Sequence, residues 1–285
     1  MKRKASFAGI VNISILVFIA FTTVYPFYYL LVISFTPVAN TVGRGLVLFP
    51  TSFDLSSYTY VFRAFGIGGA YRTTLSVVIL GTILSLTLST IGAYALSFAD
   101  MPGRNLLMTL LIITLVFQAG LIPTYLVVRS VGLIDKLGAL FIPNAINTFW
   151  LIIMRNFFQA LPQSLGESAR IDGSSEFRVL ISIVLPISTP VIATIVLFYA
   201  VGYWNQYFNA IIYINSQDKR TLQVLIRSLY QAAMNVTQSP TDDVPPPVET
   251  IRSAAIIVST LPILCAYPFL QKYFVQGIMV GAVKG

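Results

Sequence analysis

Between Pro162 and Pro186 the sequence reads Pro-Gln-Ser-Leu-Gly-Glu-Ser-Ala-Arg-Ile-Asp-Gly-Ser-Ser-Glu-Phe-Arg-Val-Leu-Ile-Ser-Ile-Val-Leu-Pro, a long polar stretch in an apolar chain. Ser164 and Glu167, three residues apart, match a capping box, in which hydroxyl and carboxylate satisfy the free backbone N–H groups of a helix start. Gly173 stands where that helix would stop in the left-handed conformation. Ser174 or Ser175 can then cap a second helix running to Pro186. The chemistry on offer is recognition rather than bond making. Two short helices meet at a sharp turn, and the small residues Ser168, Ala169 and Gly173 let another surface approach closely. On spacing alone, a solvated connector with two capped helices accounts for the pattern equally well.

Bond-making chemistry has little to work with. The 285 residues include no histidine and one cysteine, Cys265, inside an apolar run. Cys/His zinc sites, Ser–His and Cys–His nucleophile pairs and an internal disulfide are excluded by composition. No Gly-x4-Gly-Lys-Ser/Thr run is present to cradle a phosphate. The acidic pair Asp242-Asp243 sits in the Pro-rich run Thr241–Pro247, a stiff, extended, solvated loop. What remains is recognition of a polar solute by amide and aromatic side chains within apolar runs: Gln118, Asn144, Asn147, Trp150, Tyr199, Tyr203, Trp204, Asn205 and Gln206. Polar solutes are held by such groups, through amide hydrogen bonds and ring faces. The same residue types also glue helices together and form interfacial belts, so both roles stay open.

These side chains need elements to position them, and composition says which. Apolar residues make up 56% of the chain and charged residues 10%, with a mean hydropathy of +0.81. A soluble domain carries about 25% charge, so lipid is the solvent this chain fits. Charges punctuate it into neutral windows, six of them long enough for the roughly 17–25 residues a span requires. The expected helix cores are 11–35, 73–98, 106–128, 137–158, 186–208 and 252–274. The apolar stretch from Val11 to Phe35 is too long for a cleaved signal peptide. The runs lack the alternation of barrel strands, so the fold class is an all-α membrane protein, one bundle of about six transmembrane helices over 1–285. The 159–185 loop and the long loops 37–70 and 209–250 connect them.

Placing both termini in the cytoplasm leaves nine basic residues on each side, a tie under the positive-inside rule. The Lys2-Arg3-Lys4 cluster beside the first helix tips the orientation towards cytoplasmic termini. The 159–185 loop then lies inside and the two long loops outside. The net charge of +8 is scattered rather than gathered into a basic stripe, which argues against nucleic acid and for loops beside anionic lipid.

Glu167-Ser168-Ala169, then Asp172-Gly173, nine residues, and Ile183-x-Leu185-Pro186 resembles the EAA loop of ABC importer permeases, with Ser168 replacing the middle alanine. Phe53–Tyr58, Gly92–Ser97, Gly120–Tyr125 and Gly281–Gly285 resemble the maltose-type and polysaccharide-uptake branch, alginate importers among them. The resemblance implies a type I importer transmembrane fold and a permease subunit without a catalytic site. It implies a second homologous permease, a dimer of ATP-binding subunits that hold ATP and Mg, and an extracytoplasmic sugar-binding protein. Glu167, Ser168, Ala169, Asp172, Gly173, Ile183, Leu185 and Pro186 would form the ATPase-coupling loop, the 275–285 tail would reach between the ATPases, and the cargo would be carbohydrate. This chain would bind no cofactor or metal of its own. An ion-coupled secondary transporter of a small polar solute is the alternative; the absence of Asp, Glu and Lys at mid-depth in the expected cores counts against it. The orientation is testable in intact cells: a membrane-impermeant thiol reagent should label cysteine placed at Ser56 or Ser239 and spare it at Ser164 or Ser174. The reverse pattern would overturn it.

Overall fold

The computed structural model describes residues 7–37, 49, 52–64, 66–162, 164–236 and 248–282. The Lys2–Lys4 cluster, the Pro-rich run Thr241–Pro247 and the last three residues of the expected tail lie outside them. Among the described residues there is no strand. The helices are α1 (Phe7–Ser34), α2 (Ser56–Ala64), α3 (Ile67–Ser97), α4 (Arg104–Val116), α5 (Leu121–Ser130), α6 (Thr148–Gln159) and α7 (Ser164–Ile171). They continue as α8 (Glu176–Ile187), α9 (Thr189–Trp204), α10 (Phe208–Tyr213), α11 (Leu222–Val236) and α12 (Val248–Ala282). The chain divides into two compact units, residues 1–68 with 225–262 and residues 69–224 with 263–285.

Among the described residues, two helices are long and apolar enough to cross a membrane, Val11–Ser34 and Ile67–Ser97, and up to four spans result if each bent helix pair counts as one. Three of the expected cores are bent or interrupted in the structure. The 106–128 core is α4 and α5 at 117°, because Phe117 turns extended and Gly120 begins a new helix. The 186–208 core is α8 and α9 at 87°. It breaks at Ser188, between Pro186 and Pro190, where two missing N–H groups interrupt the ladder. The 137–158 core is a single 3₁₀ turn (Leu137–Leu140), an irregular stretch and the 12-residue α6. At about 1.5 Å per residue, α6 falls well short of a bilayer core. Hydropathy counts apolar residues and is blind to chain direction, so bends inside an apolar run leave no trace in it. The long loops also carry structure, α2 in the first and α10 and α11 in the second.

In the first unit the hydroxyls of Ser34 and Tyr58 pair at 2.7 Å, and Ser57 donates to Thr250 at 2.9 Å. The Arg252 guanidinium lies 5.1 Å from the Tyr230 ring centre. Most of α1 is exposed, only 6% of its apolar window being buried.

The core of the second unit is built on α3, which presents Gly81, Ser85, Ser89, Gly92 and Ala93 at near-helical repeat. Ser85 and Ser89 pair with the buried hydroxyls of Tyr203 and Tyr199 at 2.7 and 2.8 Å. Small residues let helix backbones approach, and such hydrogen bonds contribute about 0.6 kcal/mol each in a membrane. At the far end, Asp135 (φ 60) gathers the Asn215 and Ser216 backbone N–H groups, the Ser216 hydroxyl and Lys219. The Ser216 and Lys219 donors hold its carboxyl well below the usual carboxylate range. A Cβ on Gly81 would sit 2.8 Å from the Tyr203 ring and 3.0 Å from Phe141 Cβ, whereas one on Gly202 in α9 meets nothing within 4 Å. Overpacking of this kind costs about 1–3 kcal/mol. Gly81→Ala should lower the melting temperature of the detergent-purified chain, and Gly202→Ala should hold or raise it. Equal melting temperatures would refute the close packing of α3 against α9.

Candidate functional site

The 162–186 segment folds as two helices about a glycine turn. The first, α7, begins at Ser164 itself. It stops at Gly173, whose φ is 80. The Gly173 N–H reaches the Arg170 carbonyl at 3.0 Å and the Ser174 N–H the Ala169 carbonyl at 2.9 Å. This pair of bonds is the Schellman motif, and it needs a residue free to be left-handed. Ser175 supplies the cap of α8, its hydroxyl accepting from the Arg178 N–H at 3.4 Å. Within α8, Leu180–Val184 is wound as a π-helix, the looser winding that recurs at functional positions. Ile183 belongs to that π turn; Leu185 and Pro186 follow it, ahead of the bend at Ser188.

Glu167, Ser168, Asp172 and Gly173 are exposed. Ala169 is half-buried. A Cβ on Gly173 would meet nothing within 4 Å, so the turn projects into open space. Beside it lies a cleft of about 290 Å³, lined by Glu167 and Arg170 from α7, Tyr94 and Phe98 from the end of α3, and Phe158 from α6.

The structure adds a cluster that the spacing hides. Arg170 grips Glu176 with two forks, Nε to Oε1 at 2.5 Å and Nη2 to Oε2 at 3.2 Å. Tyr94 donates its hydroxyl to the same carboxylate at 2.8 Å, and the Arg170 guanidinium lies 5.4 Å from the Phe98 ring centre. Gly166, one turn before Arg170, leaves room for that guanidinium to cross the helix, since a Cβ there would come within 3.2 Å of it. The two charges stand six residues apart around a reversal, outside the helical repeat on which pair-finding rests. A signal was available all the same, in opposite charges flanking a left-handed glycine.

The candidates for polar-solute recognition divide. Tyr199 and Tyr203 are buried, stack at 6.5 Å and hold α9 to α3. Asn147 caps α6, its side chain accepting from the Phe149 and Trp150 N–H groups, and its own N–H donates to the Tyr199 hydroxyl at 3.1 Å. Trp150 stacks on Phe198 at 4.2 Å. Asn147, Trp150 and Tyr199 are therefore neighbours. The buried Trp204 indole N–H has no partner among the described residues. Gln206 donates to the Leu140 carbonyl at 2.8 Å. Gln118, Asn144 and Asn205 are exposed in turns, apart from those hydrogen bonds. Arg155 donates to the Leu96 carbonyl at 3.2 Å.

Residues 106–280 match the family described as binding-protein-dependent transport system inner membrane component. Over 273 residues the chain is 44% identical to the polygalacturonan/rhamnogalacturonan transport system permease protein YtcP of Bacillus subtilis (strain 168), covering 95% of this chain and 96% of that one. Protein LplC of the same organism is 44% identical over 265 residues, 92% of this chain and 90% of its own. A chain from the crystal structure of a bacterial ABC transporter involved in the import of the acidic polysaccharide alginate superposes with a TM-score of 0.85. It is 32% identical and covers 96% of this chain and 99% of that one.

The hydrogen bonds from Arg170, ahead of that from Tyr94, hold the Glu176 carboxyl below its ordinary range. A carboxylate depressed in the folded state stabilises it at pH above the unfolded value, about 4.3. That contribution fades as pH falls through the folded value. Hydrogen exchange of 164–179, corrected for intrinsic rates, should stay flat from about pH 8 to 6 and rise below about pH 4. Glu176→Gln should exchange faster at neutral pH and lose that step; an unchanged acid step in Glu176→Gln would assign it to another carboxyl.

Proposed function

The chain belongs to the binding-protein-dependent transport system inner membrane components, and from that premise we propose that it is the membrane-spanning permease subunit of an ATP-driven carbohydrate importer. It forms half of the translocation path and has no catalytic site of its own. The observation that carries the reading is the projecting α7–Gly173–α8 turn, which spreads Glu167, Ser168 and Asp172 on an exposed face. In this reading the turn seats in a cleft of one ATP-binding subunit on the cytoplasmic side, with both termini on that side. Glu167, Ser168, Ala169, Asp172 and Gly173 meet the ATPase, while Ile183, Leu185 and Pro186 shape the return into the membrane. A second homologous permease completes the path, an extracytoplasmic binding protein delivers the sugar, and ATP and Mg stay on the ATPase dimer.

The cargo we infer is an oligosaccharide cut from an acidic polysaccharide. The relative named for polygalacturonan/rhamnogalacturonan and the structural neighbour named for alginate support this. The path candidates are Asn147, Trp150, Tyr199, Tyr203 and Trp204, with Gln118, Asn144 and Asn205 exposed outside the helices; hydrogen bonding of Asn147 to Tyr199 and stacking of Tyr199 on Tyr203 support grouping those three. Those already engaged in capping and helix pairing would have to share or exchange their bonds with sugar hydroxyls.

Two outcomes are expected. In the reconstituted complex, oligogalacturonate-loaded binding protein should raise ATP hydrolysis; stimulation by an amino acid, metal or peptide while sugars fail would sink the substrate class. Any non-glycine at 173 incurs a left-handed cost of order 1–2 kcal/mol, least for Asn, while its Cβ meets nothing within 4 Å. Gly173→Asn should therefore retain the co-purifying ATPase, and Gly173→Arg should lose it by clash with the partner. Full retention and normal transport in Gly173→Arg would reduce the turn to a connector.

A further inference from the structure

Granted the importer reading, force from the ATPase arrives at α7 and must reach the helices that line the path. Continuity of the chain gives one route, from α7 through α8 into α9. That route is compliant. It passes a π-wound segment at Leu180–Val184 and an 87° break at Ser188, where the buried Ser188 hydroxyl finds no partner among the described residues. A second route leaves the chain. The fork between Arg170 and Glu176 closes the two helices onto each other across the Gly173 turn, and the Tyr94 hydroxyl and the Phe98 ring fasten that fork to the end of α3.

We infer that this clasp makes α7, the start of α8 and the end of α3 a single rigid body, so that Arg170, Glu176 and Tyr94 are positioning residues that pass the movement of the docking turn directly to α3. An isolated exposed ion pair contributes little, but a two-fork arginine–carboxylate pair within a network holds geometry as well as charge. Here four side chains from three elements share one carboxylate and one guanidinium. Gly166 fits the same device, because its missing side chain is what lets the guanidinium lie across α7. The rigid end of α3 is continuous with Ser89 and Ser85, which hold Tyr199 and Tyr203. A displacement of the turn therefore acts on the α3–α9 contact, where the path candidates Tyr199 and Tyr203 lie.

The test uses the importer purified from its native membranes through a tag on this chain, with Cys265 replaced by serine. Spin labels go on cysteines at Leu165 in α7 and Ile91 in α3, both exposed. Their separation is measured without nucleotide and after trapping with ATP and vanadate. In the otherwise unmodified chain one narrow distance should persist in both states. Glu176→Gln and Tyr94→Phe should broaden it and let it shift on trapping, while the ATPase stays bound. A distance that shifts on trapping in the unmodified chain, or variants as narrow as the parent, would overturn the clasp. Loss of the ATPase from Glu176→Gln would assign the carboxylate to docking and overturn it too. An unmodified chain that brings down no ATPase would instead overturn the importer reading.

Discussion

Helices in lipid gain nothing from hiding apolar surface from one another, because the solvent is as apolar as they are. Association has to come from close approach and from hydrogen bonds made across the interface. The second unit obeys this constraint along one helix. Gly81 admits the Tyr203 ring to the α3 backbone, and Ser85 and Ser89 receive the tyrosine hydroxyls. Gly92 leaves 3.3 Å to Leu151 of α6 for an added Cβ. Two arginines, Arg104 and Arg155, donate to the Leu96 carbonyl near the end of α3, where the last carbonyls of a helix lack intrahelical partners. So α3 meets α6 and α9 through its small residues and is tied at its end by Arg104 and Arg155.

That dependence explains how much of the molecule was legible in the sequence. Composition alone places the chain in lipid, and the uninterrupted helices α1, α3 and α12 coincide with the first, second and last apolar windows. The glycine turn was legible too, because only one residue type accepts φ 80 at low cost and Gly173 follows a helix of the right length. What stayed hidden has a common physical cause. Hydropathy sums over a window, so 106–128 and 186–208 look continuous although Phe117 and Ser188 turn the chain through 117° and 87°. The Pro-x3-Pro spacing around Ser188 was the available sign of a break, and the apolar residues on both sides masked it.

The candidate site was legible in its main-chain design and not in its side-chain connections. Capping residues act within four positions of themselves, and sequence spacing captures them. The clasp joins Tyr94 to Glu176 across 82 positions, and no local period leads from one to the other. The polar residues of the apolar runs show a related effect. Asn147, Tyr199 and Tyr203 attract notice as solute contacts because polar groups in lipid are costly, yet each is engaged in holding helices. A path built from such residues is coupled to packing by construction, since a sugar hydroxyl that recruits Tyr199 competes with Ser89 for it.

That competition gives the two ends of the second unit a shared element. At one end the Arg170–Glu176 fork rests on Tyr94 of α3 and on Phe98 just beyond it; about one and a half to two and a half turns back from Tyr94, Ser89 and Ser85 hold the tyrosines of α9. A helix of 31 residues whose ladder is unbroken transmits displacement along its axis far better than a pair broken at 87°. The sharp bends of the structure fall in α4–α5 and α8–α9, and α3 is spared. Straightness in α3 and compliance in its neighbours are the division of labour expected if one helix carries movement while the others accommodate it.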